Sequence, residues 1–418
     1  MSEVFELVDR LCPEGVECRE LGSLGKFYSG LTGKSKEDFT SNGNATFITY
    51  MNVYSNLALK TDVKDFVHIR QNEKQNTIQY GDVIFTGSSE TLDECGMSSV
   101  LTTRPQQKLY LNSFCFGYRF DNLNLFLPDF TKHLFRSDEI RKQIIKTANG
   151  VTRFNVSKKK MQSVKIPLPP LAVQREIVGI LDLFTGLTAE LTAELELRKK
   201  QYAYYREVLL SFDEKSPSVI KEMTKRLCPE GVEWKTLEQC CTISAGGDAP
   251  KGAMSKEKCN EYSIPIISNG TGENAFYGYT NIAKVNKPAV TVAARGTIGY
   301  AAYRDYPYFP IIRLLTTIPK NENELNAKYL YYCLQDKKYN IPIGGIPQLT
   351  SPMLKEIKIP LPPLEVQRKV VEILDQFHTL TTSLTEGIPA EIEARRKQYH
   401  YYRNKLLTFK DLAPSPKE

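Results

Sequence analysis

The sequence has no C-x-x-C pair, no run of 18 uncharged apolar residues and only four histidines. Each shortage excludes something. Nine cysteines, an odd number with Cys240 and Cys241 adjacent and Cys12 and Cys18 six apart, fit neither a disulfide framework nor a zinc knuckle. His68, His133, His378 and His400 have no metal-ligand spacing to one another, so no metal site is expected. Without an apolar span, and with an opening MSEVFELVDR that has neither a basic n-region nor an apolar core, the chain is expected to be cytoplasmic with no membrane partner. Catalytic signatures are missing too: G-x-G-x-x-G, H-E-x-x-H and G-x-S-x-G do not occur. SGLTGKS at 29–35 lacks the first glycine of a phosphate loop, since that position is Tyr28. No Asn-Pro-Pro-aromatic or Asp-Pro-Pro-aromatic tetrapeptide of an amino-methyltransferase is found. The expectation is a chain with no catalysis and no cofactor of its own.

What is present is an ordinary globular composition, 41% apolar and 25% charged over 418 residues, which suggests two or three folded domains. The net charge of +7 is unevenly placed. Residues 28–165 hold 19 Lys/Arg against 13 Asp/Glu and residues 244–358 hold 14 against 9, so these segments carry +6 and +5 and the remainder −4. Two basic segments in an acidic frame suit two domains that face phosphates.

The frame is written twice. RLCPEGVE at 10–17 recurs unchanged at 226–233, and KIPLPPL at 165–171 recurs at 358–364. Each proline motif continues into V-Q-R, I-L-D and a late K-Q-Y-x-Y-Y-R; the two copies are offset by 216 residues at RLCPEGVE, 193 at the proline motif and 197 at K-Q-Y. The inserts that these frames enclose differ in length and share little sequence. Two long repeats imply a pseudo-dimer in one polypeptide rather than a solenoid. The expected organisation is an N-terminal segment at 1–27, a first variable domain at 28–165, a long helix at 166–215, a connector at 216–243, a second variable domain at 244–358, and a second helix with its tail at 359–418.

After each proline pair an apolar seam alternates steps of four and three, the mark of a left-handed coiled coil. In the first copy it runs through Ile177, Leu181, Phe184, Leu191, Leu195, Tyr202, Tyr205 and Leu209, with Thr188 and Arg198 as lapses. In the second it runs through Val370, Leu374, Phe377, Leu384, Ile392, Tyr399, Tyr402 and Leu406. Here four extra residues make a stutter, and Gly387 and Pro389 inside it predict a kink or short break. The natural partner of each seam is the other copy, in antiparallel pairing.

Both inserts read as α+β. Strand-like stretches are FITYMNVY (47–54), GDVIFTGSS (81–89), LYLNSFCFGYRF (109–120), YSIPIISNG (262–270) and PAVTVAARGTIGYAAY (288–303); helix-like ones are 129–148 and 324–335. Each insert ends in a Gly-containing loop, at 149–160 and 344–355. Polar side chains on such loops, beside basic residues, suit base-edge readout of double-stranded DNA. The candidates are Lys34, Asn52, Thr86, Ser88, Ser89 and Arg153 in the first domain, with Lys158, Lys159 and Lys160 for phosphate. In the second they are Lys251, Ser268, Asn269, Arg295, Thr297 and Gln348. A coiled-coil scaffold without DNA binding is the alternative, and it leaves two basic, mutually unlike domains unexplained.

With its paired K-I-P-L-P-P-L…V-Q-R…I-L-D motifs, its paired K-Q-Y-x-Y-Y-R helix ends and the TAELTAEL run at 188–195, the chain resembles the specificity subunits of type I restriction-modification enzymes over essentially its whole length. The resemblance implies that each domain reads half of a bipartite, interrupted target, while the helices set the spacer and dock two methyltransferase subunits. It further implies restriction subunits in the complex and a role in phage defence. S-adenosylmethionine, ATP and magnesium would be bound by those partners.

Overall fold

The computed structural model describes residues 2–341 and 346–412; Gly344, Gly345 and tail residues 413–418 lie outside the described residues. Two compact units are formed, Met1–Leu191 with Ile392–Glu418, and Thr192–Glu391. Each helix copy therefore gives its first half to one unit and its second half to the other.

In the first unit a four-stranded antiparallel sheet runs in the order Gly25–Ser29, Cys115–Phe120, Val83–Thr86, Ser98–Val100. Val83 and Phe85 enter one apolar cluster with Phe116, Tyr118 and the helices Pro128–Leu134 and Asp138–Lys146, while Ile84 enters a second cluster. A strand buried on both faces reads as an unbroken apolar run, which is why VIF stands out in sequence. The second unit repeats the order with Cys241–Ala245, Leu314–Pro319, Ala289–Ala293, Ala301–Arg304, backed by Ala327–Leu334. The first strands begin at Gly25 and Cys241, so domain starts at 28 and 244 fall inside strands.

The repeated frame closes each domain. Cys18–Glu20 pairs antiparallel with Lys165–Pro167, and Glu233–Thr236 with Lys358–Leu361, so the first residues of each proline motif are a strand. Gln174 of V-Q-R is fully buried: its Oε1 accepts from Leu127 N at 2.9 Å, and its Nε2 donates to Leu125 O at 2.9 Å and Pro169 O at 2.8 Å. Gln367 does the same with Asn326 N, Glu324 O and Pro362 O at 2.9, 2.7 and 2.7 Å. One amide thus ties the start of each domain's helix to the start of the frame helix. The I-L-D aspartates add a second tie: Asp182 bonds His133 Nε2 at 2.7 Å and Asp375 accepts from Tyr332 OH at 2.5 Å.

The first frame helix is continuous over Leu171–Ser211, 41 residues. Its counterpart is two helices, Leu364–Thr382 and Ile388–Leu407. Thr382 corresponds to Ala189 at the 193-residue offset and Ile388 to Leu191 at 197, so the four extra residues lie within the break and add no helical rise. Ser383 builds the break by accepting from Thr385 N and Glu386 N. Gly387 then passes so close to the helix end that a Cβ there would lie 2.5 Å from Thr379 O. Pro389 falls in the first turn of the next helix, where a missing N–H costs nothing. Leu384, expected in the seam, is 82% exposed because it sits in this break.

The other seam residues are buried or half-buried. Phe184 stacks on Tyr402 in the first unit (5.2 Å, 19°) and Tyr205 on Phe377 in the second (5.3 Å, 22°), the same pair of positions used twice. Such stacks contribute about 0.5–1.5 kcal/mol beyond area burial. The K-Q-Y-x-Y-Y-R motif does more than pack. Tyr399 OH shares a hydrogen bond with His133 Nδ1 at 2.9 Å and Arg403 pairs with Asp138 at 2.9 Å; Tyr202 donates to Gln335 Oε1 and Arg206 to Asp336, both at 2.5 Å. The helices of each unit's domain are thereby gripped by both frame copies.

Three local expectations change. FITYMNVY splits into strand Ala45–Ile48 and helix Tyr50–Ser55, because Thr49 caps the helix by accepting from Asn52 N at 3.3 Å. The helix expected over 129–148 is two helices, turned at Phe135–Ser137 where Arg136 bends inward. The long apolar run 288–303 is the antiparallel pair Ala289–Ala293 and Ala301–Arg304.

Candidate nucleic-acid interface

At one end of the first domain's central strand, Ser88–Ser89 pairs with Phe154–Val156, and the backbone is clasped by Val156 N donating to Gly87 O at 2.9 Å. Gly87 N donates in turn to Phe114 O at 2.7 Å. Arg153, exposed and one residue before the clasp, brings Nε to 3.3 Å from Ser88 Oγ and its guanidinium to 6.0 Å from the Phe114 ring centroid. Together with Tyr50, Tyr54, Ser89 and Glu94 they line a cavity of about 340 Å³. Glu94 accepts from Tyr54 OH at 2.5 Å and Thr91 Oγ1 at 2.8 Å, and the tyrosine bond above all holds its carboxyl below the usual range. One wall therefore offers guanidinium donors, the other an anionic acceptor, which is the complement needed for guanine O6/N7 and for a base amino group.

Two arginines missed in the sequence, the half-buried Arg136 and the buried Arg141, hold this wall in place. Arg136 donates to the carbonyls of Ser98, Val53, Tyr54 and Asn56, and Arg141 to those of Gly96, Asp93 and Cys95. Burial brings both guanidinium groups down to about 10, still charged at neutral pH. They satisfy the end of helix Tyr50–Ser55 and the loop that carries Glu94. Their partners lie 38 to 83 residues away, so no local pattern signals them.

Of the basic run, Lys158 donates to Ser29 Oγ at 2.8 Å and Lys160 to Asn149 Oδ1 at 3.0 Å, while Lys159 is exposed with no side-chain partner among the described residues. Ser157 caps this short helix. Three candidates are committed to the fold instead. The Lys34 side chain is 3% exposed and donates to Glu73 at 2.5 Å and His68 O at 2.6 Å; this bond first, then Gln75, holds the Glu73 carboxyl down at about 2. Thr86 is fully buried and accepts from Met97 N at 2.9 Å. Asn52 has both ends of its amide on the Lys60 backbone. The Lys34 and Thr86 side chains are thus enclosed, and Asn52 is half-buried.

In the second domain Asn269, Arg295, Thr297 and Gln348 form one network. Arg295 Nε and Nη2 donate to Gln348 Oε1 at 2.9 and 2.5 Å, Asn269 Nδ2 donates to Arg295 O at 2.7 Å, and Thr297 Oγ1 donates to Asn269 O at 2.9 Å. Ser268 is turned to Ala275 O at 3.2 Å, and Lys251 is exposed outside the network.

The two sites share a backbone although the polar side chains at its end differ. Val156 N to Gly87 O matches Leu349 N to Ala294 O, and Gly87 N to Phe114 O matches Ala294 N to Arg313 O. Gly30 N to Cys115 O matches Gly246 N to Leu314 O, and Asn112 N to Ile48 O matches Ile311 N to Ile267 O. Gly30 and Gly246 are glycine for one reason: a Cβ would lie 2.2 Å from Asn112 O in one domain and 2.0 Å from Ile311 O in the other. Ser88 and Arg295 thus hold equivalent places, as do Asn155 and Gln348.

Comparison with known proteins points one way. The family described as "Type I restriction modification DNA specificity domain" matches residues 13–197 and 229–394. A putative type I specificity subunit of Mycoplasma pneumoniae is 35% identical over 288 residues, 66% of this chain and 82% of that protein. The EcoR124I/EcoR124II specificity subunit of Escherichia coli is 38% identical over 274 residues, 59% of this chain and 63% of that one. Among solved structures, the S subunit of a type I restriction-modification system from M. genitalium aligns over 94% of this chain and 96% of its own with TM-score 0.50 at 18% identity. A chain from work on assembly and conformational transition of the type I R-M system aligns over 94% and 97% with TM-score 0.59, also at 18% identity.

Proposed function

The chain belongs to the type I restriction-modification DNA-specificity family, and from that premise we propose that it reads a bipartite double-stranded DNA target, one half-site per recognition domain, without catalysis of its own. The observation that carries this reading is the duplicated clasp: one backbone arrangement, in two basic domains, filled with unlike side chains (Ser88 and Arg153 in one, Arg295 and Gln348 in the other). Two equal side-chain sets would read a palindrome; two unlike sets read an asymmetric sequence. The remaining cations nearby, Lys158, Lys159 and Lys160, suit phosphate contacts that position the domain without carrying sequence information.

The frame helices set the separation of the half-sites and present the surface on which two methyltransferase subunits assemble, with restriction subunits joining through them. Those partners bind S-adenosylmethionine, ATP and magnesium; this chain binds DNA and protein. The complex works in the cytoplasm, in defence against phage. No helix among the described residues is long and apolar enough to cross a membrane.

Exchange of residues 28–164 for the insert of another subunit tests the reading. Mapping adenine methylation across a genome that expresses the chimera should show one half-site changed and the other kept. Loss of any bipartite motif in the parent complex, or alteration of both half-sites in the chimera, would overturn it.

A further inference from the structure

The backbone position whose carbonyl accepts from Gly87 N in the first domain is Phe114, and from Ala294 N in the second it is Arg313. These two residues meet the same three neighbours by hydrogen bond and topology, since Cys115 and Leu314 follow them with matching bonds to Gly30 and Gly246. Neither side chain is buried in the fold. Phe114 leaves 58% of its surface exposed, beside Arg153 at the mouth of the cavity. Arg313 is exposed, its guanidinium has no partner among the described residues, and its backbone lies at φ 70°, a conformation that glycine or asparagine adopts with less strain. The fold alone would favour a small residue there. Arg295, attached to Ala294, spends its fork on Gln348, so Arg313 is the uncommitted guanidinium of this end of the domain.

We propose that the equivalent residues Phe114 and Arg313 are specificity-determining, each reading one base pair of its own half-site, Phe114 by apolar contact with a thymine methyl group and Arg313 by a bidentate bond to guanine. The inference rests on the DNA-reading function above. The chemistry of each side chain fixes its object: an aromatic ring has no donor for a phosphate, and its apolar contact in the major groove is the C5-methyl of thymine, whereas the planar fork of arginine matches guanine O6 and N7. One backbone position that offers an apolar surface in one domain and a fork in the other gives two different letters from one architecture.

The test is selection from a randomised duplex library by the full-length chain in complex with its methyltransferase subunits. Arg313→Gly removes the fork while relieving the backbone, so the variant folds at least as readily as the parent. Arg313→Lys keeps the charge and loses the fork. Both should lose preference for guanine at one and the same position by about tenfold or more, with the other half-site unchanged. Phe114→Ala, at an exposed site, should lose preference for thymine at one position of that other half-site. Uracil in place of this thymine should weaken the parent complex and leave the Phe114→Ala complex indifferent. If the parent selects no bipartite motif, the proposed function fails. If it selects one, but Arg313→Gly keeps every preference or weakens all sequences equally, or Arg313→Lys retains full discrimination, arginine meets phosphate or nothing and the inference falls. A uracil substitution without effect on the parent would overturn it equally.

Discussion

Gln174→Leu should uncouple the first recognition domain from the frame. The amide makes three hydrogen bonds in a fully buried place, and leucine, close in volume, makes none. Left behind are the Leu127 N–H and the Leu125 and Pro169 carbonyls, each an unsatisfied group worth about 1–3 kcal/mol when water cannot reach it. At the low end of that range, ~1–2 kcal/mol per group, and after partial hydration of the half-buried pair and the apolar gain of leucine, together ~1–2 kcal/mol, the expected loss is about 1–5 kcal/mol. Gln174→Glu gives a sharper signature. The carboxylate keeps its acceptor for Leu127 N but sets an anionic oxygen against two carbonyls, so its folded pKa rises above the unfolded value near 4.3. The folded state then binds the proton more tightly; stability is fullest below the unfolded pKa and falls as pH rises through the folded one. Hydrogen exchange read by mass spectrometry reports each unit separately, as a two-unit chain requires. Gln174→Leu should deprotect the amides of the first domain, and Gln367→Leu should do so in the second, where Trp234, the single tryptophan, gives an independent fluorescence reading. A loss below about 0.5 kcal/mol for Gln174→Leu, the size of an ordinary surface change, would refute the clasp.

Insertion or deletion of one T-A-E-L unit within 188–195 changes the continuous helix by ~6 Å and ~400°, nearly a full turn, so the seam is almost preserved. Methylome mapping should then show both half-sites kept and the spacer altered by about one or two base pairs, whereas deletion of two residues, a turn of ~200°, should abolish assembly. Lys159→Ala should weaken binding about equally on all sequences and flatten the salt dependence by about one unit, as measured by titration over a range of salt. Arg153→Ala should instead relax discrimination at one position by ~1–3 kcal/mol, and equal losses on cognate and random DNA would remove it from the reading set.

What the sequence discloses and what it hides divide along a physical line. Frame residues repeat in identity because they serve the same contacts twice: Gln174 and Gln367, Asp182 and Asp375, Tyr202 and Tyr399, and Arg206 and Arg403 each bind the corresponding part of a domain. Their periodicity made the helices and the two-domain plan visible, and Gly387 with Pro389 marked the break. Inside the inserts this aid disappears. Lys34 looked free until Glu73, 39 residues on, supplied its counter-charge, and Thr86 looked polar and available until the strand beside it buried it. No local spacing encodes such pairs. The positions proposed to read bases are harder still, because an asymmetric target would require that they differ: Ser88 answers to Arg295 and Phe114 to Arg313 through carbonyls and amides alone. A comparison of side chains between the two halves therefore recovers the frame and passes over the unlike residues at equivalent positions. Only the shared hydrogen bonds of the main chain bring those unlike residues into register, and a search for specificity positions in such a duplicated protein has to begin from the backbone.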